Sequence, residues 1–318
     1  MRIFLPALCL LLAAPALAQD APSPAGAGGA QISSGTAAGA AAAPGGRPAK
    51  PAAAVSVYTA YAAPGGLISR RTGTTGEAAL GKAAGFALRA SADLAHIRSL
   101  GGGYFPGELY RAAFGLSAEN NGTRLAVNLH SNSDRPFNSP AETDLGFTLT
   151  HDLPDGGRST WLLGLNYSTR RSFLRGVPLP FVGYRYVTKE LTLMLPFLVR
   201  WQATRELALS ASYQPVKYFR AGLNWRPLPY FRADLEGGLT LEQFLPAGRR
   251  DKSEELFYQT AYISLKPALS FSRRFEVTPA LGWQFSGLYY RGARYDEFKD
   301  KVRLRGGPTC GLSARYAF

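Results

Sequence analysis

Apolar and polar residues alternate with a period of two from Val55 to the end of the chain. In the last eighteen residues, one face carries no charged residue and ends in Tyr316 and Phe318, whereas the other face carries Lys301 and three arginines. Successive side chains of a β-strand point to opposite faces of the sheet, so this pattern predicts strands. After residue 18 no run is apolar enough to cross a bilayer as a helix, which excludes a helical membrane protein.

The predicted strands are longer than those of typical soluble proteins. The segments 231–241 and 275–289 repeat the split between an apolar and a polar face, and such segments extend over about 10–15 residues. A soluble β-sandwich also alternates, but its strands are usually about five to six residues long. Aromatic residues near the ends of the apolar faces are typical of the girdles at the two membrane interfaces. The pattern therefore favours an all-β, transmembrane, antiparallel up-and-down β-barrel.

Fourteen segments fit this description, and merging the weak first segments gives an alternative count of twelve. With 14 strands, the span from Val55 to Phe318 allots about 19 residues to each strand and its connection, which suits a membrane barrel. The predicted strands are 54–62, 84–97, 106–118, 122–131, 141–152, 158–170, 180–188, 190–201, 205–213, 217–226, 230–242, 257–271, 274–290 and 301–318.

An even number of strands places both ends of the barrel on one side, which we expect to be periplasmic. Short turns should then be periplasmic and long loops external. The polar connections 243–256 and 291–300 obey this rule. The segments 131–141 and 171–179 are long but fall on the periplasmic side of a 14-strand count. Either the count is in error there, or these segments fold into the lumen.

The N-terminal region divides into two parts ahead of the barrel. Residues 1–18 have the organisation of a secretory signal peptide, with Arg2 at the start, an apolar stretch, and a small-x-small cleavage site at Ala16-Leu17-Ala18. Residues 19–53 are rich in Ala, Gly and Pro and almost lack large apolar residues, so we expect a disordered periplasmic leader. The barrel domain is then 54–318.

Charge and cysteine content narrow the classes of function. The chain has 36 Lys and Arg against 22 Asp and Glu, a formal net charge of +14. These cations are spread along the strands without a basic cluster, so we expect no nucleic-acid partner. After signal cleavage Cys310 is the only cysteine, which leaves no intramolecular disulfide. A lipoprotein acylated at Cys9 is less favoured, because its apolar region would be too short.

The final Tyr316-Ala317-Phe318, together with the signal sequence and the alternation, resembles Gram-negative outer-membrane β-barrel proteins. The last strand of that class closes on an aromatic residue as an assembly signal. The resemblance implies an outer-membrane location, contact with outer-membrane lipid and lipopolysaccharide, and recognition by the barrel-assembly machinery during biogenesis. One departure is that the usual glycine of the pattern is matched only by Ser313, with Gly311 two residues earlier.

Three further stretches, 130–139, 177–184 and 194–197, resemble an outer-membrane β-barrel family that is known only as a domain of unknown function. This resemblance would cover about residues 55–318. It implies no chemistry of its own.

The residues that face the lumen are those opposite the apolar faces, because the two sets alternate along each strand. This assignment gives the interior more arginines than carboxylates. Many of these arginines should pair across strands and brace a narrow interior. In an open pore the remaining positive charge would favour anions, since rings of Arg or Lys select for them. The predicted lumen-lining residues are Arg89, Arg111, Arg124, Arg170, Arg185, Arg200, Arg220, Arg232, Arg303, Arg305 and Arg315.

The best candidate for catalysis is His130 with Ser131 and Asp134, directly after a predicted strand. Asp134 could orient His130, and Ser131 could attack an ester. The alternative is an ordinary turn, because Ser-Asn-Ser-Asp followed by Arg-Pro is typical turn chemistry. Outer-membrane acyl hydrolases place a serine two residues from the histidine on one strand face, and none of the 3 histidines has this spacing.

These patterns predict a porin-like channel with a basic, anion-preferring lumen. We expect no cofactor and no metal, because 3 His and 2 Cys offer few ligands and no metal-ligand spacing stands out. The alternatives are a closed structural barrel, an outer-membrane enzyme that modifies lipid or lipopolysaccharide, and an adhesion or accessory module. Cations in or beside the predicted outer loops could bind lipopolysaccharide phosphates or simply be solvated. They are Arg249, Arg250, Lys252, Arg294, Lys299 and Lys301.

Overall fold

The computed structural model describes residues 52–100, 104–155, 157–172 and 174–318. These residues form one closed antiparallel barrel of sixteen strands, in which each strand pairs with its neighbours in the chain and β1 pairs with β16. The prediction of an all-β up-and-down barrel is confirmed. The predicted signal peptide and nearly all of the predicted leader lie outside the described residues. Within those ranges, no helix is long and apolar enough to span a membrane.

The strands vary in length from 5 to 19 residues. They are β1 (Ala53–Ala62), β2 (Ile68–Ala83), β3 (Phe86–Leu100), β4 (Glu108–Asn120), β5 (Thr123–Ser133), β6 (Asp144–Pro154), β7 (Ser159–Ser168), β8 (Leu179–Val187), β9 (Leu191–Leu195), β10 (Leu198–Gln202), β11 (Leu207–Gln214), β12 (Tyr218–Leu228), β13 (Phe231–Phe244), β14 (Glu255–Ser270), β15 (Phe275–Gly292) and β16 (Lys299–Ala317).

The predicted count of 14 strands, or 12, is wrong, and β2 is one reason. Its outward positions include Thr72, Thr74 and Gly76, which are small or polar and give no hydrophobic period. The strand is nevertheless paired with β3 along its length and with β1 from Ser69 to Ala78. Pairing with neighbours on both sides therefore holds a strand that its own sequence pattern does not reveal.

The second reason is a hairpin inside the segment predicted as one strand over 190–201. β9 and β10 pair with each other, and the connection between them is only Pro196 and Phe197. Proline has no N–H to donate to a ladder, so a strand rarely runs through it. The N–H of Phe197 donates to the carbonyl oxygen of Met194 at 2.6 Å and closes the turn.

Sixteen strands place short and long connections on opposite rims. On the rim called here the turn rim, every connection has two to four residues. All longer connections lie on the other rim, the loop rim, including 134–143, 169–178 and 245–254. Counting back from Phe318, the extra strand within 190–201 reverses the direction of the predicted strands from 84–97 to 180–188, and the missed strand β2 restores the direction of the first. The conflict over the long N-terminal segments was therefore an error in the count.

The outer face of the barrel is largely apolar. On β15 the outward side chains of Leu281, Trp283 and Phe285 are 65%, 46% and 59% exposed, whereas the inward side chains of Thr278 and Ala280 are buried. Other strands repeat this arrangement. Contiguous apolar surface on this scale is not found on proteins surrounded by water. The outer surface is therefore suited to an apolar environment and not to water.

The alternation on β15 and β16 reverses once. Gln284 and Gly287 are three positions apart, yet both are buried inward positions, and they pair with Gly307 and Leu304 on β16. A register shift between β14 and β15 accompanies this change. The extra residue of a β-bulge changes which side of the sheet the following residues face. Residues of β16 from Lys301 to Arg305 therefore have the opposite orientation from the one that strict alternation predicts.

Candidate functional site

Two opposite strands of the barrel touch each other at the loop rim. β5 and β13 are eight strands apart in the ring of sixteen, so they face each other across the interior. The N–H of Leu245, just beyond β13, donates to Asn132 O at 2.7 Å, and Asn132 Nδ2 donates to Gln243 O at 3.1 Å. The interior is therefore pinched at this level, and the loop rim has two compartments.

The compartment that includes β1 is filled by apolar side chains, called here the apolar plug. The ring centroid of Phe105 lies 4.7 Å from that of Tyr289 and 6.0 Å from that of Phe244. Burial of these rings away from water stabilises the closed arrangement. The buried members are Leu67, Ile97, Leu109, Phe244, Leu256, Tyr258, Tyr289 and Leu304, with Tyr104, Phe105 and Val302 packed against them.

An ion pair crosses the interior beside the apolar plug. Nη1 and Nη2 of Arg71 on β2 donate to the carboxylate of Glu242 on β13, each at 3.1 Å. The two side chains are only 7% and 10% exposed. Charge-assisted pairs of this geometry are strong and directional. Sequence reasoning misses Arg71 because β2 carries no hydrophobic alternation.

The two halves of the interior differ in the space that remains. On β14, β15, β16 and β1, nearly all inward side chains are buried, including small ones such as Ala60 and Ser264. On β8 to β12, most inward side chains keep accessible surface, among them Arg200 and Ser210. A barrel of sixteen strands is wide enough for an aqueous channel where side chains do not fill it. We call the region along β8 to β12 the open half.

A fully buried carboxylate joins two of the long loops. Glu142 accepts a hydrogen bond from Lys252 Nζ at 3.1 Å, and Arg249 Nη2 lies 3.8 Å from the same oxygen. Burial by itself raises the pKa of Glu142, but hydrogen bonds from Ser139 and Lys252 outweigh it and hold the pKa below its ordinary value. Glu142 is therefore ionised at neutral pH and holds both cations.

The third long loop, 169–178, is attached to the same rim. Arg175 Nη2 donates to Glu255 Oε1 at 2.6 Å and to Ala293 O at 2.9 Å. Gln243 Nε2 donates to Arg170 O at 2.8 Å. The three loops and the apolar plug therefore meet at the loop rim and narrow it.

Five of the eleven arginines predicted to line the lumen have acidic partners, which lie within two strands of them. Arg170 instead donates to Pro140 O through Nε at 3.2 Å and Nη2 at 2.7 Å. Such contacts hold neighbouring strands and loops together. The ion pairs are Arg111–Asp93 (3.0 Å), Arg124–Glu119 (3.1 Å), Arg185–Asp152 (2.7 Å), Arg232–Asp234 (2.9 Å), Arg232–Glu276 (3.3 Å) and Arg315–Glu77 (3.7 Å).

Three of the predicted residues, Arg89, Arg200 and Arg220, lie within 4.0 Å of no carboxylate oxygen in the part of the chain that the structure describes. The guanidinium of Arg220 stacks over the ring of Tyr218, 4.4 Å from its centroid. Cross-strand pairs connect Arg200 with Ser210, and Ser212 with Arg220. Directly opposite residues of paired strands share one face, so this part of the open half combines two arginines and two hydroxyls.

Arg303 and Arg305 lie elsewhere than the alternation predicts. Leu304 between them is buried in the apolar plug, and Val302 packs against it. Neighbouring side chains of a strand point to opposite faces, so both arginines lie on the outer face, where they are exposed. The physical reason is the reversal of alternation near Gly307. Paired glycines within a strand were the one sequence signal for it.

The catalytic candidates His130, Ser131 and Asp134 make separate contacts. His130 Nε2 lies 3.5 Å from Asp144 Oδ2, whereas Ser131 Oγ donates to Glu142 O at 2.5 Å. Asp134 accepts a hydrogen bond from Ala247 N at 2.6 Å. No serine hydroxyl is therefore placed for activation by His130 among these contacts. In the described ranges, no group of three or more His, Cys, Asp or Glu could hold a metal ion.

Comparison with known proteins finds similarity only in general architecture. An outer-membrane channel from Pseudomonas putida F1 is 10% identical, with a TM-score of 0.37 and coverage of 86% of this chain and 97% of that chain. OprB from Pseudomonas putida is 11% identical, with a TM-score of 0.36 and coverage of 84% of this chain and 93% of that chain. The NanC porin is 8% identical, with a TM-score of 0.33 and coverage of 83% of this chain and 100% of that chain. No protein-family model and no curated protein matches the chain. Similarities this distant carry no inference about function, which has to rest on the residues of this chain.

Proposed function

We propose that the chain is a porin-like channel of the Gram-negative outer membrane, with a basic lumen that favours anions. The outward apolar side chains of β15 and its neighbours support a membrane location. The exported leader, the outer-membrane lipid environment, and the resemblance to a barrel family of unknown function belong to this proposal. In it, the loop rim faces outward and the turn rim faces the periplasm.

The observation that carries the proposal is the accessible open half along β8 to β12. Arg200 and Arg220 lie there without a carboxylate within 4.0 Å, whereas most other inward arginines of the described chain are paired. Paired arginines contribute little net charge to a passing solute. Arg200 and Arg220 lie beside the hydroxyls of Ser210 and Ser212, and Glu236 is within electrostatic range of Arg220. The two guanidiniums leave a local positive potential, which attracts small anions.

The pinch and the loop cluster favour a second candidate, a closed structural barrel. If the loop rim stays as the structure has it, with Leu245 bonded to Asn132 across the interior, no wide axial pore exists. In the proposed channel this is the resting state, and conduction requires movement of the loops around Glu142. The two candidates differ in whether that rim ever opens.

Single-channel recording in a planar bilayer with a salt gradient tests the proposal. We expect discrete openings whose reversal potential shows anion preference. The double variant Arg200→Gln, Arg220→Gln should keep the openings but shift the reversal potential toward cations. Arg98→Gln is the matched control, because it removes an exposed arginine from the outer face and should leave selectivity unchanged.

Two results would overturn the channel proposal. Absence of conductance from a correctly folded barrel, also after proteolytic cleavage of the long loops, would favour the closed structural barrel. Openings with cation preference, or a selectivity unchanged in the Arg200 and Arg220 double variant, would refute the basic lumen. Folding of each variant is checked by its heat-modifiable migration on gels.

A further inference from the structure

The reversal of alternation on β16 creates a row of cations on the outside of the barrel. Lys301, Arg303 and Arg305 are all exposed, and Val302 and Leu304 between them face the apolar plug. Alternate residues of a strand are about 6.6 Å apart, so the row extends along the wall over about 13 Å. Within the described ranges, none of the three has a carboxylate oxygen within 4.0 Å.

A second pair of cations lies on nearby strands of the same wall. Arg70 on β2 is directly opposite Arg98 on β3, and both are exposed. The guanidinium of Arg70 lies over the ring of Tyr61, 5.6 Å from its centroid. Like charges directly opposite each other on paired strands are destabilising. A bound anion between them would remove this repulsion.

The level of these cations along the barrel wall identifies their surroundings. Leu312, which is 48% exposed, is an outward residue on the turn-rim side of the cations, and Tyr61, which is 41% exposed, is level with Arg70. Arg70 pairs directly with Tyr61 near the end of β1, so it lies near the loop-rim end of the apolar outer face, one alternate position before the exposed pair Ile68 and Leu100. On β16 the row of cations starts at Arg305, which is nearer the loop rim than Gly307. Lipid headgroups meet a membrane protein at this edge of its apolar face.

Two carboxylates lie beside the group and have other partners. Asp300 precedes Lys301, and its Oδ2 lies 3.9 Å from Arg291 Nη1. Glu108 is directly opposite Arg98, accepts a hydrogen bond from Tyr110 Oη at 3.5 Å, and lies 4.0 Å from His96 Nε2. The wall formed by Arg70, Arg98, Lys301, Arg303 and Arg305, called here the outer basic patch, therefore keeps a clear excess of positive charge.

We propose that the outer basic patch binds the phosphate groups of a membrane-lipid headgroup in the leaflet at the loop rim. Arginine suits this role, because its planar guanidinium donates two parallel hydrogen bonds to a phosphate. By register Arg70 is level with Cys310, five positions along β16 from Arg305, so the row on β16 and the pair on β2 and β3 offer two separate phosphate sites. This surface lies outside the barrel, so it is independent of whether the lumen conducts.

Binding is tested on the folded full-length barrel in phosphatidylcholine nanodiscs that contain bis-phosphorylated lipid A or its dephosphorylated form. Native mass spectrometry counts the bound lipid A molecules. We expect retention of the phosphorylated form only. In Arg303→Gln, Arg305→Gln the affinity should fall about thirtyfold, because each cation near an anionic lipid surface contributes about a factor of five.

Controls separate the patch from general charge effects. Arg273→Gln, Arg274→Gln removes two exposed arginines at the turn rim and should retain lipid A like the unmodified barrel. Arg70→Gln, Arg98→Gln tests the second pair if the β16 variant fails to fold. Equal retention of dephosphorylated lipid A, or unchanged retention in both patch variants, would overturn the proposal. Displacement by inorganic phosphate at equal phosphate concentration would assign the site to free phosphate instead of lipid.

Discussion

Replacement of Glu142 by glutamine should loosen the long loops of the loop rim. Glu142 is fully buried, with Lys252 Nζ at 3.1 Å and Arg249 Nη2 at 3.8 Å. Glutamine keeps the shape but leaves Arg249, whose side chain is 8% exposed, without a counter-charge. Removing one partner of a buried ion pair costs about 3–5 kcal/mol, and the lower end applies because Lys252 is half exposed. A loss of about 3 kcal/mol raises the population of opened loops about a hundredfold.

Trypsin measures this population, because Arg249, Arg250 and Lys252 all lie in the loop 245–254. When loop opening and closing are fast relative to cleavage, the cleavage rate follows the opened fraction. The folded barrel is therefore digested with a low trypsin concentration, and cleavage within this loop is followed by mass spectrometry. We expect a rate about a hundredfold above that of the unmodified chain.

The matched control is Glu254→Gln in the same loop. Glu254 pairs with Lys299 Nζ at 2.9 Å, but this pair is accessible to solvent, and exposed pairs contribute little to stability. Its cleavage rate should change by less than about fivefold. Cleavage of the Glu142 variant at the unmodified rate, or equal acceleration by both variants, would refute the reasoning.

Three further predictions concern the ion pairs and the strand reversal. Glu242→Leu leaves Arg71 buried without its partner and should lower the free energy of unfolding by about 3–5 kcal/mol. The double variant Arg71→Met, Glu242→Leu should recover most of this stability. Urea midpoints measure both variants, and a double variant that loses the sum of the two single losses would contradict the reasoning. The pKa of Glu142 is below its ordinary value, so its stabilisation is complete above the unfolded-state pKa and is lost as the pH falls through the folded-state pKa. Channel recordings should therefore show more frequent openings in acid, and an acid response that persists in Glu142→Gln would exclude this group as its origin. Gly307→Val places a side chain against the backbone of Ala63 and should destabilise the barrel by about 1–3 kcal/mol. An unchanged urea midpoint would contradict this, because it would show that the backbone moves aside without cost.

The fold class could be predicted because outward and inward positions alternate in hydropathy on most strands. The exceptions show what the pattern lacks. β2 has small and polar outward residues such as Thr72, so its position depends on pairing with β1 and β3. The β9–β10 hairpin lies inside one apolar run, where Pro196 was the only local signal for a turn. Register and pairing are tertiary properties that one strand's sequence does not contain.

The interior could be predicted less well than the fold. Alternation places Arg111 with a carboxylate on the adjacent strand, and Arg185 and Arg232 with carboxylates two strands away, but it cannot show contacts across the barrel. The pair of Arg71 with Glu242 joins residues 171 positions apart, and no local pattern encodes such a distance. Alternation also gives the wrong orientation for Arg303, because one extra residue in a strand exchanges the two faces of the residues beyond it.

The contact between opposite strands at the pinch also constrains the order in which the chain can assemble. Asn132 and Gln243 are 111 positions apart, so their hydrogen bond can form only after β6 to β13 have been laid down between them. Contacts between such distant residues are slow to form, because long segments lose conformational freedom before the contact is gained. We therefore expect a partly assembled barrel to pass through an intermediate that is open at the loop rim, with closure of that end as a late event in its folding time course.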